Sequence, residues 1–99
     1  MALKTTSWDA SEHLDSEESI AAYLEAAFED GDPKLIAAAL GDVARSRGMT
    51  DVANRAGLSR ESLYRALSQN GNPELATVLK VTRALGLRVS VAPASIPAE

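Results

Sequence analysis

Apolar residues recur at helical spacing along most of the chain, so that they line one face of each predicted helix. The first helix is predicted over about Glu17–Phe28, with Asp15 or Ser16 as its N-cap. The second covers about Pro33–Arg47, because Asp32 and the proline after it form a strong helix-start signal. The positions expected to face the core are Ile20, Tyr23, Leu24, Ala27 and Phe28 in the first helix, and Leu35, Ile36, Ala39, Leu40 and Val43 in the second.

The second half of the chain carries three further helix patterns. They cover about Asp51–Ala56, Arg60–Ser68 and Pro73–Leu85, with Thr50, Ser59 and Asn72 as the respective N-caps. The positions expected to face the core are Val52, Ala53, Ala56, Leu63, Leu67, Leu75, Val78, Leu79, Thr82 and Leu85.

The segment Leu87–Val91 alternates apolar and polar residues, which is the pattern of a strand. The predicted fold class is therefore all-α, with five helices and a short C-terminal strand. We expect an N-terminal arm over residues 1–15, one domain over residues 16–92 and a tail over residues 93–99.

A domain this small has a thin core, so association with a second copy would stabilise it. A lone strand also needs a partner, either in its own chain or in another copy. We expect a homodimer formed through the strand, the fifth helix or both, and favour a contribution from Leu87–Val91. The alternative is that this strand packs within its own chain.

The composition excludes several kinds of chemical site. The chain of 99 residues has no cysteine and one histidine, His13, so disulfides, zinc–thiolate sites and cysteine nucleophiles are excluded. No apolar cleft is implied that would prepare a carboxylate for acid–base catalysis, so we expect no enzyme, cofactor or metal site. No apolar run approaches the ~20 residues that span a bilayer, and the first residues lack a signal-peptide core, so we expect a soluble cytoplasmic protein.

The net charge of −4 hides an uneven distribution of charge. Residues 1–32 contain nine acidic residues and one basic residue, whereas residues 33–99 contain nine basic and five acidic residues. The front of the chain therefore carries −8 and the remainder carries +4. A basic body suits a polyanionic partner such as nucleic acid, although the total charge argues against one.

Residues 50–68 have the pattern of two short helices joined by a three-residue turn, Gly57–Ser59. This arrangement, with glycine in the turn, describes a helix-turn-helix. Arginine can bond guanine bidentately in the major groove, and glutamate can accept a hydrogen bond from cytosine. The predicted base contacts are Arg60, Glu61, Ser62 and Arg65, and the predicted DNA-backbone contacts are Arg47, Thr50, Arg55, Ser59, Tyr64, Gln69 and Asn70.

Two alternatives stay open for these residues. The same side chains fit the solvated polar face of an ordinary helical bundle. Glu61 can also pair with Arg65 at i, i+4 instead of contacting a base, and we favour the pair.

The stretch Gly57–Ser68 resembles the helix-turn-helix of the phage-repressor (Xre/Cro) superfamily. More narrowly, the chain resembles the helix-turn-helix addiction-module antidote family, the HigA-like antitoxins. The resemblance extends from about Trp8 to Val91. The matching segments are residues 30–33, 39–45, 47–50, 57–68, 71–73, 79–81 and 84–87.

This resemblance implies a lambda-repressor-like fold and two partners. The first is a RelE/ParE-like (HigB-type) toxin, which the antitoxin of a type II module neutralises. The second is the double-stranded operator DNA of its own operon, which the antitoxin binds as a repressor. Alternatives are a prophage-type regulator with no toxin, and a module that binds protein alone.

The acidic front of the chain is the predicted toxin-binding region. Toxins of this type are generally basic, so an acidic surface would complement them. The residues expected to contact the toxin are Trp8, Glu17, Glu18, Glu25 and Glu29. The alternative is an acidic helix face that is simply solvated.

Overall fold

The computed structural model describes residues 16–68 and 70–94 of the chain. Five helices follow one another in this part: α1 (Glu17–Asp30), α2 (Pro33–Arg47), α3 (Met49–Ala56), α4 (Arg60–Ala66) and α5 (Leu75–Ala84). The predicted all-helical class with five helices is therefore confirmed. In these residues no helix is both long and apolar enough to cross a membrane.

The first two helices begin where local side-chain chemistry favours a start. Ser16 caps α1, because its Oγ accepts the Ser19 N–H at 3.0 Å and the Ser19 Oγ accepts the Ser16 N–H at 3.3 Å. Asp32 caps α2 by accepting the N–H of Lys34 at 3.0 Å. The predicted cap and bounds of α2 are confirmed, and α1 extends two residues beyond its predicted end.

Two predicted caps are wrong. Helix α3 begins at Met49 with Gly48 in the cap position, so Thr50 lies inside the helix. The Gly48 φ of 102° turns the chain directly from α2 into α3, and the Val52 N–H bonds to the Gly48 carbonyl at 3.0 Å. Helix α5 begins at Leu75 and not at Pro73 after an Asn72 cap. Asn72 and Pro73 therefore belong to the preceding loop. A fixed proline φ suits an extended loop as well as a first helical turn.

All five helices contribute to one aliphatic core. The largest fully buried side chains are Ile20 from α1, Leu40 and Val43 from α2, Val52 from α3, Leu63 from α4 and Val81 from α5. Helix α3 is central, since it packs against α2, α4 and α5, while α1 packs against α2. Three leucines expected inside are on the surface instead: Leu35, Leu75 and Leu79 are 44%, 71% and 45% exposed.

A glycine brings α2 against the C-terminal end of α4. An ideal Cβ on Gly41 would lie 3.0 Å from the backbone carbonyl oxygen of Leu67. That distance is tighter than most real Cβ contacts, so a side chain here would require the Leu67 backbone to shift by a few tenths of an ångström. Gly41 therefore helps to fix the position of α4.

The predicted strand Leu87–Val91 is not formed within residues 16–68 and 70–94. The Leu87 N–H instead closes the end of α5 by bonding to the Thr82 carbonyl at 2.9 Å, and Val91 is 96% exposed. A strand needs a neighbouring ladder of backbone groups, and the described helices offer none. The pairing of this segment with a second copy stays a prediction.

Helix α1 is tied to α2 by a hydrogen bond between side chains. The Tyr23 hydroxyl donates to Asp42 Oδ2 at 2.6 Å, and Arg45 donates to the other oxygen of the same carboxylate. Burial, followed by the hydrogen bond to Asp42, raises the pKa of Tyr23 to about 12.

This pKa shift predicts a loss of stability at alkaline pH. The pKa of Tyr23 is higher in the folded chain than its unfolded value near 10. The protonated hydroxyl therefore contributes its full stabilisation of the fold below pH ~10. We expect the free energy of unfolding to fall by roughly 2 kcal/mol as the pH rises from ~10 to ~12. Urea unfolding over this range measures it. Tyr23→Phe should flatten the decline, whereas Tyr64→Phe, at a 61% exposed side chain, should not. An equally steep decline in Tyr23→Phe would contradict the assignment.

Candidate functional site

The turn between α3 and α4 sets the angle at which α4 is presented. Gly57 has a φ of 74°, a left-handed conformation that a Cβ would oppose. The Leu58 N–H then bonds to the Ala53 carbonyl at 2.9 Å, and the Leu58 side chain packs against the core. Ser59 begins α4 as predicted, since its Oγ accepts the Ser62 N–H at 2.9 Å. Residues 50–68 thus form helix, three-residue turn and helix.

One side of α4 is buried and the other faces solvent. Leu63 and Leu67 are 0% and 3% exposed and anchor the helix in the core. The exposed residues of α4 are Arg60, Glu61, Ser62, Tyr64 and Arg65. All four predicted base-contact residues therefore lie on the accessible side of this helix.

The expected pairing of Glu61 with Arg65 is not formed. The ion pairs in the described residues are Arg45–Asp42 and Arg55–Asp51, the latter at 3.2 Å. An exposed i, i+4 pair gains little free energy in water, so solvation competes well with it. The side chains of Glu61 and Arg65 are therefore both available to a partner.

The predicted contacts to the DNA backbone lie on several elements, whereas the predicted base contacts all lie on α4. Thr50, Ser59 and Asn70 are exposed, as are Arg47 and Arg55, while Gln69 lies outside the described residues. Arg55 is held by Asp51, so it would have to exchange that carboxylate for a phosphate.

Tyr64 lines a groove of about 530 Å³ between α2 and α4. Lys34 and Arg45 line the same groove together with Asp32 and Asp42, and Arg45 is paired with Asp42. The sequence interpretation missed these two cations. Their spacing is a usable signal, because residues 34, 38, 42 and 45 fall on one face of α2.

Arg47 and Arg55 lie in a different environment. They line a groove of about 360 Å³ with Arg83, Glu17 and Asp51. A neighbouring groove of about 510 Å³ is lined by Arg55, Lys80 and Arg83. No residue of α4 is among the lining residues of either groove. We call Arg47, Arg55, Lys80 and Arg83 the α3–α5 basic patch.

The acidic residues of α1 divide between two surfaces. Glu18, Glu25 and Glu29 are exposed and, at intervals of seven and four residues, share one face of the helix. Glu25 lines a groove of about 300 Å³ between α1 and the C-terminal segment. Glu17 lies apart from them, beside the basic patch. Trp8, the remaining expected toxin contact, lies outside the described residues.

Comparison with known proteins decides the family. Residues 4–93 match the family described as "Probable addiction module antidote protein". The chain belongs to this antidote family. An uncharacterised protein of Haemophilus influenzae is 51% identical over 84 residues, which cover 85% of this chain and 87% of the relative. No solved structure matches the chain.

Membership of the antidote family implies a toxin partner and a regulatory rather than a catalytic role. The antidote presents an acidic face on α1 and an exposed polar side on α4. The sequence-based assignment to the antidote family is confirmed. Its narrower parts, the HigA-like type and the Xre relationship, remain predictions.

Proposed function

We propose that this antidote is the antitoxin of a type II module, with a HigA-like, lambda-repressor-like fold of the Xre type. It neutralises a RelE/ParE-like (HigB-type) toxin by direct binding in the cytoplasm. It also represses its own operon by binding operator DNA through the helix-turn-helix of α3 and α4. The observation that carries the DNA-binding part is the placement of α4, whose apolar side is anchored while its whole polar side is open.

The proposed interface with DNA uses the α4 residues according to their chemistry. Arg60 and Arg65 donate to guanine in the major groove, and Glu61 and Ser62 contact neighbouring base edges. The backbone contacts are assigned to Arg47, Thr50, Arg55, Ser59, Tyr64, Gln69 and Asn70. We add Lys34 from the adjacent groove, and Arg45 in exchange for its pair with Asp42.

A homodimer is the proposed assembly, because a helix-turn-helix pair contacts two half-sites about 34 Å apart. The surface that supports it is apolar and lies on α5 and the C-terminal segment. The residues that line a groove of about 370 Å³ there include Phe28, Ile36, Pro73, Leu75, Val78, Leu79 and Val89. Leu75 and Leu79 are 71% and 45% exposed, and Val91 is 96% exposed. Association through this surface would remove several large apolar side chains from water.

A charge placed in this surface should separate the dimer. We expect Leu79→Glu to raise the dimer dissociation constant roughly 100-fold or more, because burying an unpaired carboxylate costs ~3 kcal/mol or more. Sedimentation equilibrium measures the constant. Leu35→Glu is the matched control, since Leu35 is 44% exposed on the α2–α4 groove. Equal dissociation constants for the two variants, or a monomeric parent protein, would contradict this interface.

The acidic face of α1 is the proposed toxin surface. We expect Glu18→Gln, Glu25→Gln and Glu29→Gln together to slow association with the toxin roughly tenfold at low salt, because they remove electrostatic steering. Stopped-flow mixing with the proposed toxin measures the rate. Glu74→Gln, on an exposed residue before α5, is the charge control. An unchanged rate would leave the acidic face as a solvated helix surface.

Co-expression tests the proposal as a whole. We expect a small basic protein encoded next to this chain to arrest growth when expressed alone, and this chain to relieve the arrest and form a complex with it. Operator binding without any such complex would instead favour a prophage-type regulator.

A further inference from the structure

The α3–α5 basic patch is a continuous surface. Its two grooves, of about 360 and 510 Å³, share Arg55, Arg83 and Ala84. Val52, Ala56 and Ala84 also line these grooves, but Val52 and Ala56 are only 2% and 9% exposed. The accessible surface of the patch is therefore mainly that of its charged side chains.

The patch holds more positive than negative charge. Its four cations face two carboxylates, Glu17 and Asp51. Asp51 is taken up by Arg55 at 3.2 Å. In residues 16–68 and 70–94, Arg47, Lys80 and Arg83 have no ion-pair partner within 4.0 Å. Clustered cations in this arrangement attract an anionic partner.

The N-terminal arm joins the domain at the edge of this patch. Glu17, the first residue of α1, lines the smaller groove, of about 360 Å³, together with Arg47 and Arg83. Its Oε2 atom lies 3.4 Å from where a Cβ on Gly86 would be. Residues 1–15 therefore start from a point already next to the cations.

The arm has the composition that the patch requires. Asp9, Glu12 and Asp15 supply three carboxylates in seven residues, and Trp8 supplies the one indole of the chain. An extended chain covers about 3.3 Å per residue, so residues 8–15 reach over ~25 Å. The eight-residue helix α3 is ~12 Å long. The arm is therefore long enough to cross the patch.

We propose that residues 8–15 dock on the α3–α5 basic patch of their own chain. The carboxylates of Asp9, Glu12 and Asp15 pair with the cations, and the Trp8 indole packs against a guanidinium of the patch. The docked arm occupies Arg47 and Arg55, so it competes with the DNA phosphates proposed for these two residues. The docking itself does not depend on the proposed toxin or operator.

Fluorescence of Trp8 tests the docking directly, because it is the one tryptophan of the chain. We expect acrylamide to quench Trp8 several-fold less in the full chain than in the charge-reversed variant Arg47→Glu with Arg83→Glu. The matched control is Lys34→Glu with Arg88→Glu, which reverses two exposed cations outside the patch and should leave the quenching unchanged. Circular dichroism and thermal unfolding establish that the variants fold.

A charge swap provides a second, independent measurement. Changing Asp9, Glu12 and Asp15 to lysine in the charge-reversed background should restore protection of Trp8. Quenching of the parent protein as fast as that of N-acetyltryptophanamide would overturn the proposal. So would protection of Trp8 that is unaffected by charge reversal in the patch, because the arm would then contact another surface.

Discussion

Replacing Arg60 and Arg65 with alanine is expected to remove sequence-specific operator binding while leaving the fold intact. Each arginine that bonds a guanine bidentately contributes ~1–3 kcal/mol of discrimination, or roughly 5- to 150-fold in affinity. Both residues are exposed on α4, and neither is in an ion pair in the described residues, so their removal leaves no buried group unsatisfied. The double variant should therefore bind operator and random duplex with similar affinity.

Lysine at the same two positions is the informative control. Arg60→Lys with Arg65→Lys keeps both charges but loses the planar fork that bonds a guanine. We expect it to retain random-sequence binding and most of the salt dependence, and to lose discrimination between operator and random DNA. Fluorescence anisotropy on both duplexes at several salt concentrations measures all of these quantities. Full operator affinity in the alanine double variant would show that α4 does not contact the bases.

The second large effect is expected in the core. Leu63 is 0% exposed and attaches α4 to the domain. Leu63→Ala should lower the free energy of unfolding by ~3–5 kcal/mol, because it removes buried methyl groups and leaves a cavity. That is a large share of the ~5–15 kcal/mol that stabilises a typical domain. Urea unfolding followed by circular dichroism measures the change.

Leu35→Ala is the matched control for Leu63→Ala, because it makes the same replacement at a side chain that is 44% exposed. It should cost less than ~1 kcal/mol. Equal losses at the two positions would contradict the burial on which the orientation of α4 depends. If Leu63→Ala stays folded, it should also weaken operator binding, since α4 is no longer held at one angle.

Local chemistry explains which elements the sequence predicts well. The caps at Asp32 and Ser59 each form a hydrogen bond within three residues, so no distant contact is needed to establish them. The same cap signal at Thr50 and at Asn72 does not start a helix. At these two positions the tertiary packing decides where the helix begins. Helix α3 begins one residue before Thr50, with Met49 buried in the core, and α5 begins at Leu75.

The burial of leucines shows the limit of helical spacing as a signal. Spacing indicates that Leu75 and Leu79 share a face with Val78 and Thr82, but not how far a neighbouring helix covers that face. The structure buries Thr82 and leaves Leu75 and Leu79 exposed. The sequence alone assigned these two leucines to the core. In the structure they support a surface for a second copy.

The sequence by itself determined the helical class, the order of the five helices, the turn before α4 and the polarity of α4. It did so because periodicity, caps and glycine positions act over a few residues. The tertiary structure decided which charges meet. It separated Arg55 from the exposed side of α4 and placed it with Lys80 and Arg83, and it brought Glu17 to the same patch. Such groupings join residues distant in sequence, and they depend on how α3 and α5 pack rather than on any local pattern.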